Sequence, residues 1–190
     1  MVDALERDGR GLNLTEQVRD GIVCHSGRAP QPATLEGAIV RLTDRFAYIN
    51  HDIDDALRAG LLEAHRLPAD AIEVLGDTSS ARIDALVRDL VEHSEREGVI
   101  VQGEAAAAAL IELRNFMFEH VYMGEIARRE HSKIDTVVTS LFEHYCANPD
   151  DLPPSDDDLP TRVTDYIAGM TDRYCIRMYE HLAVPRAFAR

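Results

Sequence analysis

Residues able to do chemistry are concentrated in one short stretch. Asp44, Tyr48 and Asp52 fall at i, i+4 and i+8, with His51 and Asp55 at i+7 and i+11. On a helix, at about 100° per residue, these five positions share an arc of about 100°. Carboxylate oxygen and imidazole nitrogen are donors that divalent cations accept, and a tyrosine ring prefers cover on at least one side. Two readings are open from the spacing alone. The stretch could be a solvated charged face, the usual fate of such residues. It could also meet a ligand, because carboxylates spaced at i, i+4 repel slightly and do nothing for an isolated helix.

The element that must position them is a long amphipathic helix. Thr34 caps it, and Leu35, Ile39, Leu42, Phe46, Ile49, Ile53 and Ala56 recur in steps of three and four, which places an apolar stripe opposite the polar arc. The pattern predicts helices almost throughout. Thr15 or Asn13 opens one that runs to about His25, and Arg28 to Ala33 reads as an extended loop with two prolines. Pro68 begins a short helix ending near Gly76, and Ser79 or Ser80 caps one that reaches Gly98. Val99 to Gln102 is the sole strand-like run, too short to make a sheet. Further helices are predicted from Glu104 to about Tyr122, from Glu125 to about Cys146, and from Thr161 to about Leu182. Residues 148–160, with four prolines and five aspartates, read as an exposed acidic loop. The expectation is an all-α multi-helix bundle forming a single unit over residues 1–190.

Composition sets outer bounds. The 190 residues are 45% hydrophobic and 28% charged, a globular balance. There are 34 acidic against 20 basic residues, a net charge of −14, which excludes sequence-wide affinity for nucleic acid or an anionic membrane. No apolar run reaches the roughly 18–20 residues of a membrane span, and the first residues lack a signal peptide's pattern. Cys24, Cys146 and Cys175 are too scattered for a disulfide framework or zinc cage. The expectation is a cytoplasmic protein with reduced thiols.

The segment from Thr34 through Asp44-Arg-Phe-Ala-Tyr-Ile-Asn-His-Asp-Ile-Asp-Asp to Gly60 resembles the bacterial dGTPase-like deoxynucleoside triphosphate triphosphohydrolases of the HD-domain superfamily. The resemblance continues in Gly11-Leu-Asn-Leu-Thr, Gly21-Ile-Val-Cys-His-Ser-Gly, Leu113-Arg-Asn-Phe-Met-Phe-Glu-His-Val-Tyr and Asp165 to Tyr174. It implies the C-terminal part of an HD-domain phosphohydrolase fold and a metal-dependent hydrolysis of a dNTP to deoxynucleoside and triphosphate. By resemblance, Asp44 matches a metal ligand, while Arg45, Tyr48 and Asp52 match contacts to phosphate, sugar ring and the 3′-hydroxyl. A divalent ion such as magnesium or manganese is the implied cofactor, and a dNTP, dGTP first among them, the implied ligand.

The same resemblance implies a His and a His-Asp pair upstream of the segment with which this sequence begins. His51-Asp52 is a His-Asp dipeptide, but it lies where the family places sugar contacts. One Asp cannot hold a metal that needs about four protein ligands, so no turnover is expected of this chain alone. A non-catalytic nucleotide-binding or oligomerisation module is the alternative, and a homo-oligomer or a missing N-terminal half is the expected partner. Five more residues have both a site reading and a plainer one. His25 could face phosphate or simply complement a helix C-terminus. Tyr122, Arg128, Arg129 and Lys133 lie where the family supplies aromatic and basic contacts, but Glu125 and Glu130 stand at pairing distance along the same helix.

Overall fold

In a computed structural model, residues 2–3, 6–27 and 29–185 are described, and among them every regular element is a helix. The all-α expectation holds. Contacts gather the chain into two compact units, Met1–Gly124 and Glu125–Arg190. No shift in composition at Gly124 announces this division in the sequence.

The first unit begins with α1 (Glu16–Cys24) and α2 (Leu35–Arg58). Thr15, and not Asn13, caps α1 by accepting the Val18 N–H, and Thr34 caps α2 by accepting from Gly37. Asn13 instead takes a left-handed backbone with φ 52°. A Cβ on Gly37 would stand 2.6 Å from that of Pro32, so only glycine lets the proline loop lie against α2. The loop is held from below by Arg41, whose Nη1 donates to the carbonyls of Cys24 and Pro30 and whose Nη2 donates to those of Gly27 and Ala29.

Next come α3 (Ala69–Leu75), α4 (Ser79–Glu97) and α5 (Glu104–Met117). Ser79 and Ser80 were the expected caps of α4, but Thr78 is the cap, its side chain accepting from Ala81. The helix ends as the sequence predicts, with Gly98 in the left-handed region at φ 71°. Val99 to Gln102 form no strand; the segment is pinned by Ser94 and by Asp89, which accepts the Gly103 N–H at 2.8 Å.

The stripe of α2 is buried from its middle onward. Phe46, Ile49, Ile53 and Ala56 meet Leu86 and Leu90 of α4 and Leu110, Leu113 and Met117 of α5 in one core. Full burial of one such side chain contributes about 1.5–3 kcal/mol. Leu35 and Ile39, in the first turns of the same stripe, remain 60% and 40% exposed. Beyond Met117 the helix widens into a π turn over Phe118–Tyr122, closed by the Met123 N–H on the Phe118 carbonyl.

The second unit contains α6 (Glu125–Ala147), α7 (Leu159–Ala168) and α8 (Asp172–Ala183). The single last helix predicted from Thr161 is two. Gly169 ends α7, and Thr171 caps α8 by accepting from Tyr174. The acidic stretch at 148–160 is mostly exposed but carries Leu152 into a small core with Leu141, Tyr145 and Val163. Tyr166 meets Tyr145 edge to face at 5.1 Å.

Candidate functional site

The polar arc of α2 is where the spacing places it. Asp44 and Asp52 are half-buried, and Arg45, Tyr48, His51 and Asp55 are exposed. Eight residues at about 1.5 Å each set Asp44 and Asp52 about 12 Å apart along the helix axis. Tyr48 keeps 65% of its surface exposed, so the cover a ring prefers is not supplied within its own unit.

One tertiary contact joins two of the candidates. The Tyr122 hydroxyl donates to Oδ2 of Asp52 across 70 residues of sequence. The π turn makes this possible, because an i→i+5 turn re-aims the side chains that follow it. The Tyr122 ring is also braced edge to face by Phe118, centroid to centroid 6.4 Å. Burial, the bond to Asp52 and the charge of Asp52, in that order, push the Tyr122 phenol above its usual range, while Arg114 pulls the other way. The phenol therefore stays neutral and stays a donor. A carboxylate has two oxygens and only Oδ2 is engaged, so Oδ1 can accept a further hydroxyl.

Behind the arc lies a buried polar network that nothing in the motif reading singled out. Asn50 donates to the Phe46 carbonyl at 2.7 Å and accepts from Nε of Arg82 at 2.7 Å. Arg82 is 1% exposed, donates to the Asp77 carbonyl at 3.1 Å, and faces Asp54 as an ion pair at 3.5 Å. Burial draws its guanidinium below the ordinary arginine value, against the opposing carboxylates of Asp54 and Asp77. A signal for it exists: Arg82, Leu86 and Leu90 share one face of α4, so a charge sits in a core register.

The other candidates are placed as follows. His25 follows the last residue of α1, with Nδ1 2.6 Å from the Ile22 carbonyl, so that nitrogen carries the proton. It lines an apolar groove of about 660 Å3 between α1 and α2, with Val18, Ile22 and Val40. Arg128, Arg129 and Lys133 belong to the second unit. Arg129 pairs with Glu125, and Lys133 with Glu130 at 2.7 Å, the helical pairings the sequence allows. Among the described residues, no group of three or more His, Cys, Asp or Glu side chains gathers to hold a metal ion. The residues present therefore do not by themselves fit one.

Residues 100–181 match the family described as a phosphohydrolase-associated domain. Over 191 residues the chain is 42% identical to the deoxyguanosinetriphosphate triphosphohydrolase-like protein of Caldanaerobacter subterraneus subsp. tengcongensis, covering 97% of this chain and 56% of the relative. The protein of the same name from Clostridium tetani is 41% identical over 198 residues, covering 96% and 57%. That of Ralstonia pickettii is 30% identical over 227 residues, covering 90% and 58%. The chain thus spans a little over half the length of the curated relatives it matches. It is homologous over nearly its whole length to the C-terminal portion of the dGTPase-like proteins of the HD-domain phosphohydrolases.

Proposed function

We propose that this chain supplies half of the nucleotide pocket of a deoxynucleoside triphosphate triphosphohydrolase. The observation that carries the reading is the Tyr122–Asp52 bond, which orients a carboxylate on a face whose resemblance assigns it to the sugar. In this reading Asp52 accepts the 3′-hydroxyl through Oδ1, Tyr48 packs its exposed ring on the deoxyribose, and Arg45 meets phosphate. Asp44 is read as one ligand of a divalent ion whose other ligands come from residues outside this set. The reading assigns no role to His25, His51 or Arg128.

By themselves these 190 residues are expected to bind a dNTP and not to turn it over. Thermal-shift titration with each dNTP, with magnesium or manganese, tests this. A saturable rise of the midpoint with dGTP and no release of triphosphate are expected. An unmoved midpoint with all dNTPs would overturn the binding half, and metal-dependent triphosphate release would overturn the other.

A second reading, a non-catalytic oligomerisation module, is favoured by the apolar groove between α1 and α2. The two separate on the response to dNTP.

A further inference from the structure

We propose that a small cavity beside the N-terminal half of α2 is an oxyanion site that takes a phosphate group. The cavity, about 200 Å3, has four polar lining residues: Gln31, Arg41, Arg45 and Gln102. The rest of its wall is aliphatic, and no carboxylate lines it, in a chain whose net charge is −14. Two guanidiniums exclude a cation. The size lies below the roughly 300–1,000 Å3 of sites that enclose a drug-sized ligand, so a phosphate group fits and a whole nucleotide does not.

Two donors here lack an acceptor. Arg41 is 7% exposed; its Nη1 and Nη2 are consumed by the carbonyls of the 24–30 loop, and its Nε is buried with no hydrogen-bond partner. Nε2 of Gln102, on the segment pinned against α4, is likewise buried and unpartnered. Buried N–H groups without acceptors are rare in folded proteins and call for an explanation. Both residues line the same cavity. The ligand they ask for is rich in acceptor oxygens and negatively charged, and arginine donors favour phosphate in particular. Arg45, exposed on the next turn of α2 and also in the cavity wall, completes the set of donors.

The inference shares Arg45 with the nucleotide reading and otherwise stands apart from it, needing neither metal nor sugar contact. The phosphate could be free or the tail of a nucleotide. The test titrates inorganic triphosphate, dGTP and deoxyguanosine into the 190-residue chain at constant ionic strength. Its readouts are the thermal midpoint and the Gln102 side-chain amide resonance.

Triphosphate is expected to raise the midpoint saturably and to move the Gln102 signal, and deoxyguanosine to do neither. Gln102→Glu, which keeps the shape and adds a charge, should weaken triphosphate at least tenfold. Arg45→Gln, on the surface, should weaken it severalfold and serves if the first variant folds poorly by circular dichroism. Triphosphate binding without dGTP binding would uphold the site, with free anion as its ligand, while the nucleotide reading fails. Equal affinity of wild type and both variants for triphosphate would overturn the site, as would a silent Gln102 signal, and saturable dGTP binding beside either result would leave the sugar contact of the nucleotide reading standing.

Discussion

A phenol held against a carboxylate gives Tyr122 a property that can be read directly. Its raised pKa means the folded state keeps the proton that the unfolded chain gives up near pH 10. Its contribution to stability is therefore complete below that pH and is lost as the pH climbs through the folded value. Tyr122→Phe should remove one late-titrating tyrosine from the absorbance titration at 295 nm and flatten part of the alkaline loss of stability. The residual slope should persist, because Tyr166 in the second unit is also raised, by its bond to Tyr174, burial and its tyrosine neighbours. A Phe variant whose titration curve loses an ordinary tyrosine would show that Tyr122 is not bonded to Asp52. The register of Asp44, Tyr48 and Asp52 was legible from spacing, since it needs only a helix. The Tyr122–Asp52 meeting was not, since it depends on a π turn that no local propensity specifies.

At the scale of elements, α2 is held in place by what lies behind it. Arg82 and Asn50 tie α4 to the backbone of α2 in the middle of the segment that carries the candidate residues. Asn50 is a neutral partner and Asp54 still faces the charge, so its removal leaves one buried guanidinium donor unsatisfied, at a cost of about 1–3 kcal/mol. Asn50→Leu is expected to lower stability to urea by an amount in that range, whereas replacing both residues together (Asn50→Leu with Arg82→Met) should recover much of the loss. Additive losses in the double variant would show that the two side chains do not form one network. Helix existence and most ends were readable from caps, as Thr15, Thr34 and Gly98 show. Thr78 is the cap because its backbone is extended ahead of the first turn, which lets its hydroxyl accept the Ala81 N–H, whereas Ser79 and Ser80 already lie inside the helix. The single helix the sequence predicts from Thr161 to about Leu182 is divided by Gly169, which ends α7, and by Thr171, whose side chain caps α8.

For the whole molecule, charge and exposed apolar surface pull in opposite directions. The net charge of −14 resists association, yet Val18, Ile22 and Val40 are 48%, 42% and 52% exposed around one groove. Contiguous apolar patches of this sort mark interaction surfaces. Sedimentation velocity is expected to show self-association that strengthens with salt, as screening weakens the repulsion, and that Ile22→Asp abolishes. A monomer at all salt concentrations would contradict this. No linker marks the division into two units, because α5, the π turn and α6 follow one another with only Met123 and Gly124 ahead of α6.

The central claim is that the acidic side of α2 receives a deoxyribose through Asp52. Isothermal titration of dGTP and of 2′,3′-dideoxy-GTP, into wild type and Asp52→Asn, addresses it most directly. Wild type is expected to bind dGTP at least tenfold more tightly than the dideoxy analogue, about 1.4 kcal/mol or more, and Asp52→Asn to erase most of that difference while leaving the affinity for triphosphate unchanged. Equal affinity of wild type for the two nucleotides, or a preference that survives in Asp52→Asn, would contradict the account.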